Sequence, residues 1–223
     1  MIDELSLAMT AGEAVGVIGP NGAGKTTMLN LVIGRLRPDA GVIRFDGLDV
    51  TGTAPHARCR AGIALTHQIP HPFEAMTVFE NTLVGAIYGR GRRERDVYGA
   101  CVGILHTTGL GDRSNRLAGT LTLLERKRLE LARALATEPR LLLLDEIAGG
   151  LTEAEIQELL PVIAAIRDGG VAILWIEHIV HALRSIVDRL VAIDFGRFIV
   201  DGPVDAVMAH PDVQKVYLGI DVE

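Results

Sequence analysis

Apolar positions along the chain fall into two kinds of stretch. Some are short and continuous: Ala14 to Gly19, Gly62 to Thr66, Arg140 to Asp145, Val171 to Glu177 and Arg189 to Asp194. Runs of this kind are what strands of a parallel sheet, buried on both faces, look like. Between them lie stretches with helical spacing, such as Thr26 to Leu36 and Thr152 to Arg167. Strands alternating with helices predict an α/β fold with a mostly parallel sheet. Gly41 to Val50 breaks the pattern: Val42, Ile43 and Phe45, then Gly47, predict a small antiparallel β arm. From about Phe73 to Ala136 the pattern is helical with no strand, interrupted by Gly85, Gly89, Gly91 and Gly109. This predicts one domain over residues 1–223, with a core at about 1–72 and 137–223 and a helical subdomain inserted at about 73–136.

Composition sharpens this picture. Hydrophobic residues make up 48% and the mean hydropathy is +0.30, values that suit either a membrane protein or a buried sheet. Apolar runs such as Leu141 to Leu144 and Val171 to Ile176 fall far short of the ~20 residues a spanning helix needs. The buried sheet is the better reading. A net charge of −6 and a pI near 5.7 give no overall field for nucleic acid, so no nucleic-acid partner is expected. The basic clusters Arg90 to Arg95 and Arg126 to Arg128 read as solvated helix faces. The N-terminus lacks the basic start and apolar stretch of a signal peptide, and Cys59 and Cys101 fit no metal or disulfide spacing. A cytoplasmic location is the expectation.

Candidate chemistry begins at Gly19-Pro20-Asn21-Gly22-Ala23-Gly24-Lys25-Thr26, a complete Walker A phosphate loop between an apolar strand and a helical stretch. Glycines let backbone N–H groups turn inward around phosphate oxygens, and the helix N-terminus adds positive potential. Lys25 is placed to reach the β- and γ-phosphates of ATP, Thr26 to ligate Mg²⁺ and Thr27 to add a phosphate contact. Leu141 to Leu144 followed by Asp145 and Glu146 is the natural Walker B partner. It places Asp145 as a Mg²⁺ ligand, and Glu146 to orient or deprotonate the attacking water. Gln68, before Pro70 and Pro72, and His178, after Glu177, say nothing by themselves.

The order Walker A, Gln68, helical insertion, basic helix, Walker B, His178 resembles the ABC transporter ATPases over nearly the whole chain. Arg128-Leu-Glu-Leu-Ala-Arg-Ala-Leu135 looks like the helix that follows the family's signature. Met76-Thr-Val-Phe-Glu-Asn81 and the ending His210-Pro-Asp-Val-Gln-Lys-Val-Tyr-Leu-Gly219 are most similar to the ATPases of branched-chain amino acid importers. The resemblance implies a P-loop ABC-type core with an inserted helical subdomain and a β arm. It implies that Gln68 senses the γ-phosphate and Mg²⁺, and that His178 contacts the γ-phosphate. It further implies membrane permease subunits as partners, a binding protein acting indirectly, and two ATPase subunits sandwiching ATP at the inner face of the membrane. A non-transport ABC ATPase, or a regulatory subunit with weak hydrolysis, are the alternatives.

Three departures from the family pattern stand out. No aromatic residue precedes Lys25, so no adenine platform is assigned and base selectivity is expected to be loose. The signature LSGGQ appears as Leu121-Thr122-Leu123-Leu124-Glu125, which keeps the spacing of a helix capping box but loses both glycines. Thr152 stands where the family has Asp. The altered signature favours a heterodimer with a second, different ATPase subunit.

Overall fold

The computed structural model describes residues 2–218; Gly219, the last residue of the family-like ending, lies outside them. Strand β1 (Ala14–Ile18) is wholly buried and leads through the glycine-rich turn into helix α1 (Lys25–Ile33). The predicted arm follows as an antiparallel pair, β2 (Arg44–Phe45) and β3 (Leu48–Asp49). Helix α2 (Pro55–Ala61) then delivers the chain to β4 (Ile63–Thr66). Three long helices come next: α3 (Val78–Arg90), α4 (Glu94–Thr107) and α5 (Leu123–Leu135). They pack through their own apolar clusters, Val78, Leu105, Leu110 and Leu129 in one and Ala86, Val97 and Cys101 in another.

The chain returns to the sheet as β5 (Leu141–Asp145), then α6 (Glu153–Asp168), β6 (Ala172–Ile176), α7 (Val180–Ile186) and β7 (Arg189–Asp194). A two-residue turn adds β8 (Arg197–Gly202) antiparallel to β7. The pattern of apolar runs missed this strand, because none of its residues is fully buried. The sheet order is β4-β5-β6-β1-β7-β8, parallel except at the last pair.

Apolar layers cover both faces of the sheet. Ile18, Leu142, Leu144, Ile173, Trp175 and Ala192 face α6 and α7, while Val15, Val17, Leu143, Leu174 and Val191 pack with Met28 and Leu29 of α1. Each fully buried branched side chain contributes roughly 1.5–3 kcal/mol, so the strands are held from both sides. Their C-terminal ends form the one edge left for ligands. Among the described residues no helix is long and apolar enough to cross a membrane.

One local signal read in the sequence is present: Thr122 and Glu125 form a reciprocal capping box at the start of α5. Thr152 and Glu155, not read there as a cap, form another at α6. Both cysteines are free thiols.

Candidate functional site

The phosphate loop is shaped by its glycines and braced by β7. A Cβ on Gly19 would sit 2.2 Å from the Ile193 carbonyl oxygen, closer than any side chain tolerates, and Gly24 caps α1 at φ +104°. On the other flank, the Gly196 N–H donates to the Ala23 carbonyl at 2.8 Å. The buried Lys25 ammonium donates to the carbonyls of Gly19 at 2.6 Å and Pro20 at 3.0 Å. Burial lowers its pKa, while the charges of Glu146 and Asp145 act in the opposite sense.

Three residues far apart in sequence meet because their strands are neighbours. Gln68, Glu146 and His178 each lie just beyond the C-terminal ends of β4, β5 and β6, whose registers pair Thr66 with Leu144 and Asp145 with Ile176. Gln68 Nε2 donates to Glu146 Oε2 at 2.5 Å, and His178 Nε2 lies 2.7 Å from Glu146 Oε1. Both oxygens of the Glu146 carboxylate are therefore engaged. The backbone at Glu146 is left-handed (φ +46°), and its N–H donates to Ile176 O at 2.9 Å. A non-glycine residue in that region carries local strain of the kind that collects at functional sites. Asp145, one residue back, has its pKa raised by burial and by the Glu146 charge, against the pull of His67 and Lys25.

Beneath this cluster sits a buried charged set that the sequence reading did not single out. Lys127, read there as part of a solvated basic face, is 1% exposed. Its ammonium donates to the Gln68 carbonyl at 2.9 Å and reaches the Glu146 carbonyl at 3.5 Å. Glu130, one turn along α5, accepts from the His67 N–H at 3.4 Å. Glu177, also 1% exposed, accepts from the N–H groups of Ala148 and His178 at 3.3 and 3.2 Å. Burial raises the Glu177 pKa and lowers that of Lys127, whose charge is favoured by Glu177, Glu146 and Glu130. Thus α5 and β6 hold the main chain around Gln68, Glu146 and His178. Helical phase was the available signal: of three consecutive residues 126–128 on a buried amphipathic helix, one must turn inward.

The altered signature sits at the start of α5. Leu124 is buried, whereas Leu123 is 41% exposed and its Cδ2 lies where a Cβ on Gly150 would meet it at 3.3 Å. Glu125 closes the capping box onto the Thr122 N–H at 2.9 Å and pairs with Arg113 at 3.1 Å and Arg116 at 3.6 Å. Burial pushes the Glu125 pKa up, but these partners outweigh it and the net shift is downward. Its charge is therefore neutralised within the chain.

A phosphate loop beside a strand-end carboxylate pair, on a mostly parallel sheet, defines a nucleotide-binding P-loop protein of the α/β class. A family model described as "ABC transporter" matches residues 2–149. The chain is 37% identical to the high-affinity branched-chain amino acid transport ATP-binding protein BraF of Pseudomonas aeruginosa, over 98% of this chain and 91% of that protein. It is 31% identical to the lipopolysaccharide export system ATP-binding protein LptB of Haemophilus influenzae, with the same shares covered. Among solved structures it is similar to the ADP conformation of MJ1267, an ATP-binding cassette of an ABC transporter. That match has a TM-score of 0.89 and 28% identity over 98% of this chain and 92% of the other. The chain belongs to the ABC transporter family and is an ATPase of the ABC type.

Proposed function

We propose that this chain powers a membrane importer of branched-chain or other hydrophobic amino acids by hydrolysing ATP at the strand-end site. The observation that carries the reading is the convergence of Gln68 and His178 on the Glu146 carboxylate, on the same sheet edge as Lys25. Glu146 is the general base. Water oxygen attacks the γ-phosphorus, the bond to the ADP oxygen breaks, and the water proton passes to the Glu146 carboxylate. Lys25 and the loop N–H groups of residues 19–27 hold the phosphates, with Thr27 adding its hydroxyl. His178 keeps Glu146 oriented and contacts the γ-phosphate. Thr26, Gln68 and Asp145 offer hydroxyl, amide and carboxylate oxygens, a hard donor set that fits Mg²⁺. Bound there, the ion would supply charge neutralisation for the phosphates.

The amino acid assignment is supported by the 37% and 34% identities to BraF and to LivG of Salmonella typhimurium. The lipopolysaccharide relatives at 31–32% make export of a lipid-like cargo the second reading. In either case the chain works with membrane permease subunits and sits peripherally on the cytoplasmic face. An importer would add a binding protein. The test is ATP turnover in membranes holding the whole transporter. Lys25→Ala should weaken ATP binding, and Glu146→Gln should keep binding while slowing turnover by ~10²–10⁴-fold. An active Glu146→Gln variant would remove that residue from the mechanism.

The partner ATPase subunit is a different chain with an intact signature. In a sandwich dimer, Leu121 to Glu125 faces the partner's phosphate loop, and the exposed side chain of Leu123 stands where a signature glycine lets backbone approach phosphate, while Leu124 turns into this chain's own core. The site holding Lys25 therefore does most of the hydrolysis. Disabling each Walker B glutamate in turn in the mixed dimer should abolish activity only through Glu146. Equal losses from both sides, or full activity as a homodimer, overturn the asymmetry.

A further inference from the structure

The turn joining β7 to β8 is Asp194-Phe195-Gly196-Arg197, with Asp194 paired to Arg197. Both central residues have positive φ, +44° at Phe195 and +79° at Gly196. Two-residue hairpins of this kind call for Asn-Gly or Asp-Gly. An aromatic residue at the first position is doubly unfavourable, because its Cβ strains the left-handed backbone and its ring stays in water. Phe195 is 85% exposed, the most exposed of the large hydrophobic side chains among the described residues. Nothing in the fold calls for a ring at that point.

Its position does suggest a use. The hairpin is fastened to the phosphate loop on two sides, by the contact of Gly19 with the Ile193 carbonyl and by the bond from Gly196 N–H to Ala23 O. It is also fastened to the start of the chain. Asp3 N–H donates to Gly196 O at 2.9 Å, and the Arg197 guanidinium pairs with the Asp3 carboxylate. The sheet order then sets a direction. Asp145, Glu146 and His178 lie at the ends of β5 and β6, on one side of β1, and β7 lies on the other. A nucleotide whose γ-phosphate meets Glu146 must carry its base away from β6, across the loop toward β7. The hairpin tip stands on that side of the loop, tied to it by the bond from Gly196 N–H to Ala23 O.

We propose that Phe195 is the aromatic surface on which the nucleotide base stacks, a role that rests on the ATPase reading of the phosphate loop. The site takes a purine nucleoside triphosphate, and ring stacking tolerates different bases because each has a π-face. ATP and GTP therefore bind with similar affinity.

The experiment titrates the full chain with ATP, GTP and inorganic triphosphate. Phe195→Asn installs the residue the turn prefers, so it should hold or raise the melting temperature. It should nevertheless weaken ATP and GTP roughly 5- to 100-fold, the range expected for one lost stacking contact, and leave inorganic triphosphate unchanged. Phe195→Trp should restore affinity, with emission quenched by ATP and not by inorganic triphosphate, measured against the signal of the buried Trp175. Unaltered ATP affinity in Phe195→Asn overturns the proposal, as does an equal loss for inorganic triphosphate, which would mean the hairpin only shapes the loop. Lys25→Ala should lose all three ligands. If it kept them, the phosphate-site reading would fail instead, independently of Phe195.

Discussion

Replacing Arg58 by Met should cost the fold about 2–4 kcal/mol without touching the site. Arg58 lies in α2 and is 0% exposed. Its guanidinium donates to four main-chain carbonyls: Leu31 at 2.7 Å and Val32 at 2.8 Å, Thr51 at 2.9 Å and Thr53 at 3.0 Å. Two of these belong to the last turn of α1, where carbonyls lack partners within the helix, although Leu31 O also accepts from the Gly34 N–H at 3.2 Å. Charge-assisted bonds contribute about 1.5–3 kcal/mol each, so four would nominally give about 6–12. Two effects reduce that sum. Burying a cation costs several kcal/mol, which the substitution relieves. Thr51 and Thr53 are only partly buried, so water can reach their carbonyls once the guanidinium is gone.

For a chain of this length the net loss corresponds to a fall in melting temperature of about 5–15 °C. Urea unfolding, followed through the single tryptophan, Trp175, gives the free energy directly. Gly34→Ala provides an internal check. Its φ is +84°, and a Cβ there would come within 2.8 Å of Arg58 Nε and of Thr53 O, so the double variant should lose less than the two single losses added. A loss below about 1 kcal/mol for Arg58→Met would refute the reasoning, by showing that solvent replaces the guanidinium. ATP affinity of the folded protein should be unchanged, because the phosphate loop meets the other end of α1.

Lys127→Met should lower kcat by roughly 10- to 100-fold while nucleotide Kd moves little, since Lys127 holds the main chain at Gln68 and Glu146 rather than the nucleotide. Single-turnover hydrolysis beside equilibrium binding separates the two, and a parallel loss of both would show a purely structural role. Glu13 should stabilise the fold above its ordinary pKa of 4.5 and progressively fail below it. Burial pushes its carboxyl up, but bonds from Arg189 and Thr10 prevail and the folded pKa is lowered, so protonation at acid pH removes the benefit. Urea midpoints from about pH 3 to pH 7 should show a shallower acid slope for Glu13→Gln, and an unchanged slope would exclude Glu13 as a contributor.

Much of the fold was legible in the sequence for a physical reason. A strand buried on both faces must be apolar throughout, and five such runs became five neighbouring parallel strands. The phosphate loop was legible because close backbone approach, as at Gly19, leaves glycine no substitute. β8 escaped because Phe198, Ile199 and Val200 are only partly covered and the turn before it lacks the usual residues. Gln68 and His178 were legible only through resemblance. Sheet order, not local pattern, brings residues 110 positions apart onto one carboxylate. Lys127 escaped for the opposite reason: it lies in a run of charges, and composition averages over a helix whose faces differ.

The bracing of the phosphate loop has a consequence for how ligand arrives. A free glycine-rich turn samples many shapes, and a polyanion binding it would have to freeze one of them at an entropic cost. Here Ile193 limits one flank, Gly196 ties the other, and Lys25 already bonds to the carbonyls of Gly19 and Pro20. The loop is preorganised, so most of the interaction free energy with phosphate survives as affinity. Capture should then proceed in one kinetic step whose rate scales with nucleotide concentration, without a slow rearrangement after encounter.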